Sequence, residues 1–162
     1  MPLRLDGTRG PIGPARRALV HYRDVRRRML ALEDVFGPVP SLETASNAVD
    51  EGAAAGRVLL DVPAAERPTA IVAQSDVLAA GVLRAAADLG LDVPGDVSVV
   101  GFDGADLPWL GSTVLTTVVQ PSDRKGQEAA KAAMELVAGR TPADVLLPVS
   151  LRIGTTTGPP PP

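Results

Sequence analysis

The chain has 162 residues, no cysteine and a formal net charge of -3. This length can bury the core of one domain without cross-links, and the absence of thiols excludes disulfides, thiolate metal sites and cysteine nucleophiles. Apolar residues make up 45% of the chain and aromatic residues only 2%, which predicts a finely packed aliphatic core. Because the sequence has neither a signal peptide's apolar core nor an apolar run of roughly 20 residues, we expect a cytoplasmic protein that contacts no membrane.

Positive charge is concentrated at the start of the chain, where residues 1–30 contain eight arginines against two aspartates. Such a basic end is compatible with an arm that binds nucleic acid. It has no helix-turn-helix pattern and no aromatic residue beyond Tyr22, so a solvated basic segment is the favoured interpretation. Residues 1–22, in which Gly and Pro interrupt any period, are predicted to be poorly structured.

Two amphipathic helices are predicted next. Over residues 24–36 the apolar side chains fall at helical spacing, and the following Gly37 and Pro38 end that helix. A second helix is predicted from Asn47, a suitable N-cap residue, to Leu60. Each of these helices is expected to bury one stripe of its surface.

The following stretch predicts a strand, a helix and a second strand. Residues 69–73 form a short apolar run typical of a buried strand. Ser75 and Asp76 supply an N-cap and a first-turn acid for a helix that ends near Leu89, and residues 97–102 form another apolar run. A strand, a helix and a strand of these lengths predict a right-handed crossover between parallel strands, so the fold class is α/β.

The remainder predicts a strand over residues 113–118, a helix over 122–138 and a last strand over 145–153. Pro148 lacks an amide donor, so the last strand is expected at an edge of the sheet. Residues 155–162, which combine three threonines with a run of prolines, are predicted to be a disordered, extended tail.

Polar side chains follow the ends of the predicted strands, where open parallel sheets bind ligands. Ser75 follows the first strand, Asp103 the second and Gln120 the third, while Asn47 opens a helix. A sugar or nucleoside needs a carboxylate to accept bonds from its hydroxyl groups, for which Asp103 is the candidate, and amides to donate bonds. A turn-capping role explains Asp103 equally well, and helix capping accounts for both Ser75 and Asp76.

No catalytic residue, cofactor or metal is predicted. His21 is the only histidine, so a catalytic triad or a histidine metal cluster would depend on one residue in a predicted loop. Asp103 and Asp106 lack the alternating oxygen ligands of a calcium loop. An enzyme that uses these two acids for proton transfer is a third hypothesis, which the absence of supporting His or Cys residues disfavours.

Three blocks in order resemble the effector domain of the lactose-repressor/galactose-repressor (LacI/GalR) family of bacterial transcription regulators. The blocks are PTAIVAQSD at 68–76, DVPGDVSVVGFD at 92–103 and LTTVVQP at 115–121. The resemblance continues through residues 146–151 and 47–52 and covers about 23–157. It implies a periplasmic-binding-protein-like fold, of which this chain is one incomplete subdomain: a doubly wound parallel sheet with helices on both faces.

The resemblance also implies functional residues. Its effector contacts fall on Ser75, Asp103 and Gln120, with Asn47 facing the cleft and an arginine at Arg26 or at one of its neighbours. The residues that correspond to the family's dimer surface are Ala79, Ala80, Leu83 and Leu110.

On this resemblance, residues 23–154 form an effector-binding portion, and within it residues 121–147 belong to a subdomain that the chain lacks. The apolar face of the helix in 121–147 is then either uncovered or repacked. We expect a homodimeric, sugar-sensing module of a transcription regulator, truncated so that DNA is bound only through a domain absent from this chain. A fragment of a solute-binding receptor for sugar transport is the alternative, which the missing export signal disfavours.

Overall fold

The computed structural model describes residues 23–161 of the protein, so the predictions for residues 1–22 lie outside the described residues. In the described range the α-helices are α1 (Arg23–Phe36), α2 (Val49–Leu60), α3 (Asp76–Asp88) and α4 (Ser122–Val137), and the strands are β1 (Ala70–Val72), β2 (Ser98–Asp103), β3 (Thr116–Val119) and β4 (Ser150–Arg152). Short 3-10 turns occupy Ala64–Glu66 and Pro108–Leu110. No helix in residues 23–161 is both long enough and apolar enough to cross a bilayer.

The strands form one sheet in the order β1-β2-β3-β4. The first three strands are parallel, as the strand-helix-strand pattern predicts, whereas β4 pairs antiparallel with β3 at the edge. The last strand is only three residues long, because Pro148 in the predicted range 145–153 cannot donate to a ladder. The α/β prediction is confirmed, and the sheet is mixed rather than wholly parallel.

One face of this sheet is covered by a helix, and the other is contacted by a side chain of α1. On one face α3 packs over the strands, and Ile71 and Val99, which are direct neighbours in the β1–β2 register, point into that interface. The buried side chains of this core are Leu60, Ile71, Ala73, Ala79, Val82, Ala86, Val97, Val99 and Leu115. Phe102 points to the opposite face, where the guanidinium carbon of Arg28 from α1 lies 3.6 Å from its ring centroid.

Helices α2 and α3 cross at glycines. A Cβ atom added at Gly52 would lie 2.2 Å from the carbonyl oxygen of Leu78, and one at Gly81 would lie 2.2 Å from that of Val49. The helix backbones are therefore in direct contact, an approach that larger side chains would prevent. Helix α2 begins one residue later than predicted, since its N-cap is Ala48, and this leaves the Asn47 side chain available for other contacts.

The predicted disorder of residues 155–162 is wrong in their first half. Thr156 is fully buried: its hydroxyl donates to the Val99 carbonyl at 2.7 Å and accepts from the Thr116 amide at 3.0 Å. Its backbone carbonyl accepts from the Val99 amide at 2.8 Å. Strand β3 begins opposite Val100, so it does not reach far enough to pair with Val99. Thr156 provides the hydrogen-bonding partner of Val99 at that edge of β2. The segment therefore completes the sheet between the amino ends of β2 and β3.

Helix α4 stands apart from this core, since it has no buried residue. Its apolar side chains and those of the segment that follows it remain in solvent: Val137 is 90% exposed and Leu146 is 94% exposed. Of the two expectations for this helix, uncovered or repacked, the structure adopts the uncovered one.

Candidate ligand-binding site

The carboxyl edge of the sheet gathers polar side chains. Asp103 ends β2 and lies opposite Val119, so Gln120 follows directly beside it. The Gln120 side-chain Nε2 donates to Asp103 Oδ1 at 2.7 Å, and the Gln120 backbone amide donates to the Asp103 carbonyl at 3.1 Å. Lys125 Nζ donates in turn to Gln120 Oε1 at 3.2 Å. The Asp103 carboxylate therefore has a fixed orientation at this edge.

Ser75 and Asn47 form a second pair. The Ser75 hydroxyl donates to Asn47 Oδ1 and accepts from the Leu78 amide at 3.1 Å, so Ser75 caps α3 and also contacts the start of α2. Ser75 is buried, whereas Asn47 is exposed. Of this pair, Asn47 therefore offers an amide to solvent, and Ser75 holds it in place.

Asp76 connects the two pairs. Its carboxylate is fully buried. Oδ2 accepts from the Ala105 amide at 2.6 Å, just after Asp103, and Oδ1 accepts from the Thr117 hydroxyl at 2.5 Å. Since Ser75 is the neighbour of Asp76, these contacts bring Ser75 and Asp103 to the same edge of the molecule, where the parallel topology predicted them.

The arginine at this edge is Arg28 rather than Arg26. Arg28 Nη1 donates to the carbonyl oxygen of Gln74 at 2.9 Å, and its guanidinium stacks on Phe102, the residue before Asp103. Such a cation–π contact also orients the planar guanidinium group. Arg26 is exposed. Two positions on a helix differ by roughly 200° in direction, so a side chain at 26 points away from the edge that Arg28 reaches.

The electrostatic environment of Asp103 differs from that of a surface acid. Burial raises the pKa of the Asp103 carboxyl above its usual value, while the hydrogen bond from Gln120 and the charge of Arg28 oppose that shift. The backbone of Asp103 adopts φ +122°, in the positive region that favours glycine. A non-glycine residue held there costs of order 1–3 kcal/mol. Strain of this kind is concentrated at functional sites in proteins.

The residues expected at a dimer surface do not share one environment. Ala79 is fully buried and Ala80 is 3% exposed, so neither offers surface to a partner chain. Both lie on α3, which packs closely against α2. Leu83 and Leu110 are half-buried against the core. Beside Leu110, the side chain of Trp109 is 63% exposed, so this loop presents an apolar side chain to solvent.

The sequence does not indicate three features of this edge. It leaves open which arginine in the run reaches the edge, and it does not predict the contact of Lys125 with Gln120. A first-turn acid such as Asp76 is sufficiently explained by helix capping, yet the partners of the Asp76 carboxylate lie outside its own helix. One feature of the sequence could have indicated the position of Asp76. Gly101 in the neighbouring strand has no side chain, which leaves room for the Asp76 carboxylate.

Together the edge presents a carboxylate acceptor, two side-chain amides and a guanidinium donor. No group of three or more metal-binding side chains occurs in the part of the chain that the structure describes. α/β domains typically bind small polar molecules with such groups at the carboxyl edge of their parallel strands.

Comparison with known proteins identifies the family. A family model described as a periplasmic binding protein-like domain matches residues 17–157. The HTH-type transcriptional regulator MalR of Streptomyces coelicolor is 45% identical over 96 residues, which are 57% of this chain and 28% of MalR. The chain therefore belongs to the periplasmic binding protein-like family, and it corresponds to the effector-binding portion of LacI/GalR regulators.

Solved structures agree with this assignment. A LacI family regulator from Corynebacterium glutamicum has a TM-score of 0.77 at 28% identity, covering 93% of this chain and 46% of that one. A LacI family regulator from Lactobacillus casei with bound glucose has a TM-score of 0.63 at 26% identity, covering 82% of this chain and 49% of that one. The chain spans less than half the length of each of these proteins.

Proposed function

We propose that this chain senses a sugar or a related polyol on behalf of a LacI-type transcription regulator. The observation that carries the proposal is the Asp103–Gln120 pair, oriented at 2.7 Å and placed at the same edge as Arg28 and Asn47. The regulator from Lactobacillus casei that has this fold was solved with glucose bound, which supports the choice of ligand class.

The roles of the individual groups follow from their chemistry. Gln120 occupies Asp103 Oδ1, and we assign the second carboxylate oxygen to a ligand hydroxyl. A hydrogen bond to an ionised group contributes about 1.5–3 kcal/mol, more than a bond between neutral groups. Arg28 and the exposed amide of Asn47 would donate to ring and hydroxyl oxygens. Ser75 is buried and would act by holding Asn47.

The chain would work as part of a larger assembly. The apolar side chains of α4 and of the segment after it are exposed. This exposure supports a division of the chain between two subdomains of the whole regulator. Residues 121–147 would pack in a second subdomain, and residues 23–120 and 148–154 would form the subdomain seen here. Leu83 and Leu110, together with exposed Trp109, would contribute to a homodimer. DNA would be bound by a helix-turn-helix domain outside this chain, in the cytoplasm.

The proposal is tested by isothermal titration calorimetry of the chain with glucose and a panel of other monosaccharides. For any sugar that binds, Asp103→Asn removes the negative charge but keeps a side chain of the same shape, and we expect at least a tenfold loss of affinity. Asp106→Asn makes the same charge change three residues later at an exposed position and should leave the affinity unchanged. Equal affinities for the two variants, or no heat with any sugar, would contradict the proposal.

A further inference from the structure

The turn after Asp103 is held in an unusual conformation. Asp103 has φ +122° and Gly104 has φ +77°. A Cβ atom at Gly104 would lie 2.7 Å from a methyl carbon of Val119, so the turn is pressed against the end of β3. A backbone of this kind persists only where the surrounding structure holds it, so the contacts of the next residue, Ala105, decide how Asp103 is presented.

Asp76 holds one side of Ala105. Its buried carboxylate accepts from the Ala105 amide at 2.6 Å and from the Thr117 hydroxyl on β3 at 2.5 Å. The approach requires a glycine in β2, because a Cβ atom at Gly101 would lie 2.2 Å from Asp76 Oδ1. A buried carboxylate is tolerated only where its oxygens are hydrogen-bonded. Asp76 therefore joins the start of α3 to β2 and β3 at the point where the turn leaves the sheet.

Arg152 holds the other side. It lies on β4 directly opposite Thr117 in the register, and its Nη2 donates to the Ala105 carbonyl at 3.2 Å. Its Nε is buried without a hydrogen-bond partner in the described part of the chain. A buried donor without a partner costs free energy, whereas the side chain of a surface arginine keeps its donors in water. The environment of Arg152 therefore differs from that of an ordinary surface arginine. Its defined contact is the Ala105 carbonyl.

We infer that Asp76 and Arg152 are positioning residues for the proposed ligand site, which hold the amide and the carbonyl of Ala105 and thereby fix the backbone that presents Asp103. The effect of these two residues on ligand affinity rests on the proposed function. Their contacts with Ala105, in contrast, are present in the unliganded protein. Neither residue needs to touch the ligand: Asp76 is fully buried, and Arg152 reaches the site through a backbone carbonyl.

The test uses the unliganded chain first, by NMR. Arg152→Met keeps the apolar stem and removes the donor to Ala105, and we expect shifted Gly104 and Ala105 amide resonances and a changed pH midpoint of the Asp103 carboxyl. Arg152→Lys, which retains a donor, should restore most of the wild-type spectrum. Arg140→Met removes an exposed arginine paired with Glu135 and controls for net charge.

A second pair of variants tests the Asp76 side. Asp76→Asn can still accept from the Ala105 amide, whereas Asp76→Ala cannot, so hydrogen exchange at that amide should accelerate at least tenfold only in the Ala variant. If Asp76→Ala does not fold, the Arg152 series still decides. Glucose or another sugar that binds the wild type should bind Arg152→Met about tenfold more weakly and Arg140→Met equally well.

Unchanged Gly104, Ala105 and Asp103 signals in Arg152→Met would overturn the inference. The NMR experiment tests the positioning role, and the sugar-binding experiment tests the proposed function, so the two can fail independently. Altered Asp103 signals in a protein that binds no sugar would refute the proposed function while leaving the positioning role intact.

Discussion

Removing one buried hydroxyl should cost this fold a large part of its stability. Thr156 bridges the amino ends of β2 and β3, where its hydroxyl donates to the Val99 carbonyl and accepts from the Thr116 amide. Thr156→Val has nearly the same shape but can make neither bond. The substitution leaves a backbone carbonyl and a backbone amide buried and unpaired, while the backbone bond between the Val99 amide and the carbonyl of residue 156 can persist.

The magnitude follows from those two groups. Each buried polar group without a partner costs about 1–3 kcal/mol, so the free energy of unfolding should fall by about 2–6 kcal/mol, against a typical total of about 5–15 kcal/mol for a domain. Thr155 provides a matched control, because its hydroxyl also bonds a backbone amide, that of Val114, at 3.1 Å, but both residues are exposed. Water can replace that bond, so Thr155→Val should change stability by no more than about 0.5 kcal/mol.

Urea denaturation followed by circular dichroism measures both variants against the wild type, and comparable slopes would show that the surface exposed on unfolding is unchanged. Thr156→Val should move the midpoint well below that of Thr155→Val. Coincident midpoints for the two variants would refute the view that the C-terminal segment is an integral part of the sheet.

Further predictions concern the site and the uncovered helix. Gly101→Ala should destabilise the fold by about 1–3 kcal/mol, because the added Cβ atom would lie 2.2 Å from Asp76 Oδ1. Gly126→Ala on α4 should stabilise the fold by up to about 1 kcal/mol, because nothing lies within 4 Å of the added Cβ atom. Urea midpoints that shift in the same direction for the two variants would contradict this prediction. The raised pKa of Asp103 means that its contribution to stability is present below the usual carboxyl pKa and is lost as pH rises through the folded-state value. Asp103→Asn should therefore gain thermal stability relative to wild type between pH 3 and pH 7, and a Tm difference that is constant or falls over this range would be inconsistent with that sign. Because Leu146 and the apolar side chains of α4 are exposed, the chain by itself should self-associate through them. Leu146→Asp should reduce that self-association in sedimentation velocity without lowering stability, and unaltered association would show that this surface is not responsible.

Features that depend on sequence neighbours could be predicted. Ser75 caps α3 through the Leu78 amide, and Gly90 ends that helix region with φ +69°. Strand β2 was predicted over 97–102 and spans Ser98–Asp103. Apolar runs and capping residues encode such elements locally, and parallel topology then places the strand ends at one edge.

Features that depend on partners far away along the chain could not be predicted from the sequence. The contacts of Thr156 lie 40 and 57 residues away along the chain, and those of the Asp76 carboxylate lie 29 and 41 residues away. Neither residue type signals such a partner, since a threonine-rich, proline-rich end is typical of a solvated tail and an acid in a first helical turn is typical of a cap. The position of the arginine stayed open for another reason: in a run of arginines, only the rotation of α1 relative to the sheet decides which one reaches the site.

The central claim is that a small polar ligand binds at the carboxyl edge of the sheet, and its most direct test is an NMR titration of the isotope-labelled chain with glucose and the other monosaccharides. The account predicts that the amide resonances perturbed by a binding sugar cluster at Asn47, Gly104 and Gln120. In Asp103→Asn, at least tenfold more sugar should be needed to produce half of the same shifts. Perturbations confined to the opposite edge around Thr156, or none with any sugar, would contradict it.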